Sequence, residues 1–322
     1  MRLIRLPILT LAARLLSGGL QTAQALWPQP SQMTSGKEAL RVDVDALQIN
    51  LPDNAPADLQ AAAKRTVQQI KSGSIAPLIV GRGKERKKEV ESAKALKTIN
   101  VVLGNGNEKD KRSSLEPAQV AFPEENSERA RSNTSSSMSS IYDDAQKHLQ
   151  EYDEAYTLSI PSDGSAATLS ANSSLGAFRG MTTLSQLFWQ MPGSNSSSSH
   201  NSSMRYLWGA PFDIQDAPAF PYRGLLLDTS RNYYSIDALK KQIDAMAFTK
   251  MNQFHWHIVD SQSFPLVLQG NYSSLSTNGA YSADQVYTPE DIAGFVKYAG
   301  ERGVSVNVEV RKFLRASSPF TC

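Results

Sequence analysis

Two segments constrain this chain more than the rest of it: Tyr222-Arg-Gly-Leu-Leu-Leu-Asp-Thr-Ser-Arg-Asn-Tyr-Tyr234 and Asn252-Gln-Phe-His-Trp-His-Ile-Val-Asp-Ser-Gln-Ser-Phe-Pro265. Each is a short apolar run that ends in a polar cluster. Gly224 to Ser230 reads as one strand and Gln253 to Asp260 as the next. Between them Ser235 can cap a helix whose Ile236, Leu239, Ile243, Met246 and Ala247 form one apolar stripe. A second helix starts at Thr288-Pro-Glu-Asp291, buries Ile292, Phe295, Val296 and Ala299, and stops at Gly303. A third strand then alternates Val304, Val306, Val308 and Val310 with Ser305, Asn307 and Glu309. The order is βαβαβ, an α/β pattern in which helices cover a parallel sheet and the polar strand ends gather on one rim. In barrels built this way, that rim does the chemistry. A closed (β/α)8 barrel takes about 250 residues. About 100 lie between Tyr222 and Cys322, room for three such units.

Upstream the pattern is mixed. Ala57 to Ile70 is helical, with Leu59, Ala62, Ala63, Val67 and Ile70 near the helical period. Ile99 to Leu103 reads as a strand. Glu154 to Ile160 and Ala167 to Ala171 read as a hairpin around Pro161-Ser-Asp-Gly164. Phe178, Met181, Leu184, Leu187 and Phe188 predict a helix with one buried face. The Ser-rich run 132–140 and the run 191–200 read as loops. The basic run Arg82 to Lys97 and the pair Lys111-Arg112 fit either a solvated surface or processing sites.

At 40% hydrophobic and 20% charged residues, the 322-residue chain can bury one or two cores. Its 33 basic and 31 acidic residues become 30 and 31 if Arg2, Arg5 and Arg14 leave with a leader, so charge offers no case for nucleic acid. Met1 to Ala25 has a basic start, an apolar middle and a small-x-small end at Ala23-Gln-Ala25, which reads as a signal peptide and alternatively as a buried helix. No other run approaches the ~18 apolar residues of a membrane span. Sequons at Asn133, Asn172, Asn195, Asn201 and Asn271 fit a secreted glycoprotein. Cys322 is the single cysteine, which leaves no internal disulfide.

The rim residues suggest polar-ligand chemistry. Arg231 follows the end of the first barrel strand, and its planar fork of donors suits adjacent sugar hydroxyls, with a surface ion pair as the alternative. His255 and His257 share a strand face, and Asp260 follows at the strand end. His-x-His can ligate zinc, but a third ligand is wanting, because His148 and His200 lie in the polar N-terminal half. A pair of core histidines is the other plain reading. Asp228, inside the first strand, reads as a structural buried acid.

These two segments resemble the first two barrel strands of family 20 glycoside hydrolases, the β-N-acetylhexosaminidases, and look most like secreted fungal members. Leu175 to Trp189 shares that family's Gly-Ala-x-Arg-Gly and Ser-Gln-Leu wording. The resemblance implies a pro-segment-like region at 26–97, a small N-terminal α+β domain at 98–190, a linker at 191–221 and a partial TIM barrel at 222–310. It implies removal of terminal N-acetylhexosamine from glycans or chitin oligomers, without metal or organic cofactor, and a full-length enzyme that is a homodimer. The substrate's own 2-acetamido oxygen would be the nucleophile of this retaining reaction, with one aspartate orienting it and the adjacent glutamate protonating the leaving oxygen. That Asp-Glu pair sits on the family's fourth strand, so no catalytic residue is expected here. Substrate-binding roles carry over to Arg231, His257 and Asp260, with His255 packed beside Trp256. The family commonly has Asp-Asp where this chain has Asp260-Ser261. After Glu309-Val310 it continues with an aspartate and Pro-Gly-His, where this chain reads Arg311-Lys-Phe-Leu-Arg-Ala-Ser-Ser-Pro-Phe-Thr-Cys322. An aberrant tail at 311–322, from a retained intron in a truncated product, is the expectation. The rival is a non-catalytic carbohydrate-binding or subunit-pairing fragment.

Overall fold

The computed structural model describes residues 26–73, 86–104, 138–190 and 204–311. The leader, Lys111-Arg112, the tail beyond Arg311 and the sequons at Asn133, Asn195 and Asn201 lie outside the described residues.

The first layer is a mixed sheet of β1 (Gln32–Asp43), β2 (Gln48–Asn50), β3 (Lys94–Ala95), β4 (Thr98–Leu103), β5 (Tyr156–Ile160), β6 (Ala167–Ala171), β7 (Trp189–Gln190) and β8 (Met204–Asp216). Their order is β2-β4-β6-β5-β8-β1-β3, with β7 also paired to β8. The hairpin expected from the Asp-Gly turn is the antiparallel pair β5/β6. At the centre, β8 pairs antiparallel with both β1 and β5. Phe212 and Ile214 point into the core while Asp213 and Gln215 point out, the two-residue period of a strand with one buried face.

Two sequence boundaries are corrected here. Residues 204–216, assigned to a linker, form the central strand, with Ala210, Phe212 and Ile214 buried in alternation. Residues 26–97, read as pro-segment-like, supply β1, β2, β3 and the helix α1 (Ala57–Ser72), so they belong to the same sheet domain. Their core residues Leu40, Val42, Leu59, Ala62, Ile70 and Leu96 sit in one cluster with those of β5, β6 and β8. The basic run contributes α2 (Lys87–Ser92), and Arg86 stacks on Trp208 at 4.0 Å from the ring centroid.

Past α3 (Ile141–Ala145), held by a Ser140/Asp143 capping box, comes α4 (Ser174–Gln186), N-capped by Ser173. The sequence predicts one buried face for α4, yet every residue of it is buried. The sheet and α1 cover one side, and the second part of the molecule covers the other: Gln186 Nε2 donates to Phe248 O and Arg179 Nη2 donates to Gly303 O.

That second part is a three-stranded parallel sheet in the order β9 (Gly224–Asp228), β10 (Gln253–Val259), β11 (Ser305–Val310). The connections carry α5 (Ile236–Phe248), α6 (Ser273–Gly279) and α7 (Pro289–Gly300). Ser235 caps α5, and Thr288 with Asp291 forms a capping box on α7, as their spacing requires. Gly303 takes φ +67° where the chain leaves α7, a conformation that suits glycine. Phe254, Trp256 and Phe295 form the fully buried centre of the helix-covered face, with Phe295 edge-on to both other rings.

A charged seam joins the two parts. Glu154 pairs with Arg179 Nε at 2.7 Å and Arg223 Nη2 at 2.6 Å, and both guanidinium groups also bond backbone carbonyls. Burial opposes ionisation of Glu154, but the two guanidinium groups outweigh it and hold its carboxyl below the ordinary value. Lys250 Nζ, also buried, donates to Asp216 Oδ2 at 2.7 Å and to the Tyr156 hydroxyl at 2.9 Å. The seam thus ties β5, β8 and α4 to the start of β9 and the ends of α5 and α7.

Candidate functional site

Parallel register decides which side chains meet on the open face of the second sheet. Opposite the helices, Leu226 aligns with His255 and Asn307, and Asp228 aligns with His257 and Glu309. This face carries a polar row: Asn307 Nδ2 donates to Gln253 Oε1 at 2.9 Å, and His255 Nε2 lies 2.7 Å from Glu309 Oε2. Glu309 also lies 3.6 Å from His257 Nδ1, and His257 Nε2 lies 3.2 Å from Asp260 Oδ2.

At the C-terminal rim the row meets Arg231. Asp228 Oδ1 accepts the backbone N–H groups of Ser230 at 2.9 Å and Arg231 at 3.1 Å, an Asx-type turn that folds the chain back over the strand end. The Arg231 guanidinium then pairs with Asp228 Oδ2 through Nη1 and with Asp260 Oδ2 through Nη2 at 2.7 Å. Arg231 is exposed, whereas His257 and Asp260 are buried beneath it. The Ser261 N–H and the Arg231 guanidinium hold the Asp260 carboxyl below the usual aspartate range. At Asp228, burial works against ionisation, but the donors of Arg231 and Ser230 together outweigh it and again lower the value. Arg231 is pushed up by its bond to Asp228. His257 Nε2 and Asp260 Oδ2 are buried and face each other, with the Arg231 guanidinium closing over the Asp260 oxygen.

The three residues singled out in the sequence, Arg231, His257 and Asp260, are therefore brought together by two strand ends. Two expectations change. His255 is not packed beside Trp256: strand alternation sends Trp256 into the helix-covered core and His255 to the polar face, against Glu309. Asp228 is not a buried acid but a partly exposed one whose oxygens orient Arg231. Glu309 was missed as a site residue, although its two-residue offset from Asn307 and its alignment with His257 place it on this face. Arg311, where the familiar pattern breaks, brings Nη1 within 3.6 Å of Asp260 Oδ2. Among the described residues there is no cluster of three or more His, Cys, Asp or Glu able to hold a metal. Asn172 and Asn271 are exposed.

Comparison with known proteins converges on one family. Residues 220–311 match the catalytic domain of glycosyl hydrolase family 20, and residues 26–187 match a domain described as beta-acetyl hexosaminidase like. A chitooligosaccharidolytic beta-N-acetylglucosaminidase of Bombyx mori is 49% identical over 158 residues, which cover 49% of this chain and 25% of that protein. The enzyme of the same name from Ostrinia furnacalis is 33% identical over 287 residues, 87% of this chain and 39% of the relative. The chain thus spans well under half the length of these curated relatives. A Streptomyces plicatus N-acetyl-beta-hexosaminidase structure in complex with Thio-NAglucal superposes with TM-score 0.56 at 19% identity, covering 88% of this chain and 45% of that one. A Streptomyces coelicolor beta-N-acetylhexosaminidase superposes with TM-score 0.55 at 20% identity over 88% and 46%. The fold is shared with both. With one family domain matched before the strand β8 and another matched after it, the chain belongs to glycosyl hydrolase family 20.

Proposed function

We propose that the chain contributes the sugar-gripping side of an N-acetylhexosamine site in a secreted β-N-acetylhexosaminidase, an enzyme that trims terminal N-acetylhexosamine from glycans or chitin oligomers. The observation that carries this reading is the rim: an exposed Arg231 braced by Asp228 and Asp260, with His257 Nε2 3.2 Å from Asp260 Oδ2 beneath it. A braced guanidinium loses little freedom on binding, so its donors are pre-set for adjacent sugar hydroxyls. On this reading β9, β10 and β11 are the first three strands of a (β/α)8 barrel, and the polar face bearing His255, His257 and Glu309 is turned to its axis. Export and glycosylation go with it, supported by the exposure of Asn172 and Asn271.

Hydrolysis would be substrate-assisted. The 2-acetamido oxygen attacks the anomeric carbon with retention overall, while an aspartate orients the amide and a glutamate protonates the leaving oxygen. None of the three described strands carries that pair at its rim, so the 322-residue chain is proposed to bind the sugar without cleaving it. Two measurements test the reading. Calorimetry should detect N-acetylglucosamine binding that Arg231→Ala weakens by a few kcal/mol, since unpaired hydroxyls and carboxylates are left behind. A chromogenic N-acetylglucosaminide should not be turned over. An Arg231→Ala variant that binds like the parent would remove Arg231 from the site, and turnover by the pure chain would overturn the non-catalytic part.

A further inference from the structure

Arg231 and Asp260 sit on separate connections, one after β9 and one after β10, yet a sugar can bridge them only if their spacing is fixed. Functional groups must be held within about 0.5 Å of the productive geometry. The fixing groups lie directly behind the rim. Ser230 and Ser263 are both buried and bond reciprocally: Ser263 Oγ donates to Ser230 O at 2.7 Å, and Ser230 Oγ donates to Ser263 O at 3.0 Å. Ser230 Oγ also accepts the Asp260 N–H at 2.8 Å. A serine hydroxyl has one proton to give and lone pairs to receive. Here the proton goes to one connection's carbonyl, and a lone pair takes the amide of the residue that braces Arg231. The Ser230 carbonyl belongs to the same peptide unit as the Arg231 nitrogen, so Ser263 Oγ anchors the peptide that carries the guanidinium. The next carbonyl, Arg231 O, accepts from the Tyr281 hydroxyl at 3.1 Å, again from the connection after β10.

We propose that Ser230 and Ser263 are positioning residues that lock the connection bearing Arg231 to the one bearing Asp260, so that both reach the same sugar. The inference rests on the sugar-site reading and deepens it. Without the Ser263 hydroxyl the Ser230 carbonyl loses that donor, and without the Ser230 hydroxyl the Asp260 N–H keeps only its longer 3.3 Å bond to Ser263 O, so the two connections lose their common reference.

The test uses the full chain with Ser263→Ala, Ser263→Thr, Ser230→Ala, Arg231→Ala and the Ser263→Ala/Arg231→Ala double variant, each checked for a native thermal transition. Calorimetry with N-acetylglucosamine should show Ser263→Ala binding about 10-fold more weakly, the size of one lost hydrogen bond to a buried group. Ser263→Thr, which keeps the hydroxyl, should recover most of that loss. The double variant should bind no more weakly than Arg231→Ala alone, because Ser263 acts through Arg231. Additive losses, or no loss in Ser263→Ala, would overturn the proposal. Amide hydrogen exchange at Asp260 gives a readout that needs no sugar: Ser230→Ala removes the shorter of that N–H's two bonds and leaves the 3.3 Å one to Ser263 O, so exchange should speed up several-fold. Unchanged exchange overturns the coupling even if Ser263→Ala fails to fold. If the parent chain binds no sugar but Ser230→Ala still frees the Asp260 amide, the sugar-site reading fails and the lock between the connections stands.

Discussion

The two sheets of this molecule solve burial in different ways. In the eight-stranded sheet, the central strand β8 is flanked on both sides, and α4 above it is enclosed on every face. In the three-stranded parallel sheet only the centre is enclosed: Phe254, Trp256 and Phe295 are fully buried, while Val308 and Val310 on β11 and Leu226 on β9 stand exposed. Parallel sheets normally have both faces covered. Here the helix-free face is instead a row of charged and amide side chains ending at Arg231. On the proposed reading the second sheet carries the sugar site, and it leans on the first through the Glu154 and Lys250 seam.

The sharpest way to break this comparison is to remove β8. A fragment ending at residue 190 should fail to fold, losing the whole stability of the domain, roughly 5–15 kcal/mol for a unit of this kind. A fragment ending at residue 221 should keep a cooperative transition by near-UV circular dichroism. A folded 26–190 fragment would return 204–216 to the role of a linker.

The seam should show the next largest effect. Glu154→Ala leaves Arg179 buried and unpaired, and breaking a buried pair from one side costs about 3–5 kcal/mol. Urea unfolding should register it, and a loss below about 1 kcal/mol would show the seam to be a surface-like pair. The pH dependence has a definite sign. The Glu154 carboxyl is lowered in the folded state, so its contribution is complete above the unfolded value of about 4.3 and fades as pH falls through the lower folded one. Glu154→Ala should therefore lose less stability than the parent between neutral pH and acid.

Smaller still is the comparison within strands. Leu207→Ala, at a fully buried position of β8, should cost about 2–5 kcal/mol. Val308→Ala, at an exposed position of the edge strand β11, should stay within about 0.5 kcal/mol. Equal losses at both sites would mean that β11 is buried in solution, and would erase the difference between the sheets.

The second sheet was the more legible of the two in sequence. Its strands and capped helices announce themselves through Ser235, Thr288, Asp291, Gly303 and clean valine alternation, all local signals. Arg231, His257 and Asp260 were singled out through the family resemblance, and they meet in space because polar residues at parallel strand ends share a rim. The remainder of the site depends on register between strands, which one segment read alone does not carry: His255 and Glu309 meet only because β10 and β11 align them. In the first sheet, β8 was absorbed into the linker that starts with the polar run 191–200, although Phe212 and Ile214 keep the two-residue period of a strand. The full enclosure of α4 was illegible for another reason, since it arises from packing between parts of the chain more than 120 residues apart in the Arg179–Gly303 bond.

The central claim is that sugar recognition belongs to the rim of the second sheet and not to the first. Amide and side-chain NMR of the full chain, titrated with N-acetylglucosamine, tests it most directly. The account predicts that shifts concentrate at Arg231, His257, Asp260 and the flanking Ser230 and Ser263, with the resonances of β1, β5 and β8 unmoved. Shifts confined to the first sheet, for instance around the groove lined by Ile49, Leu51, Gln60 and Val67, would contradict it.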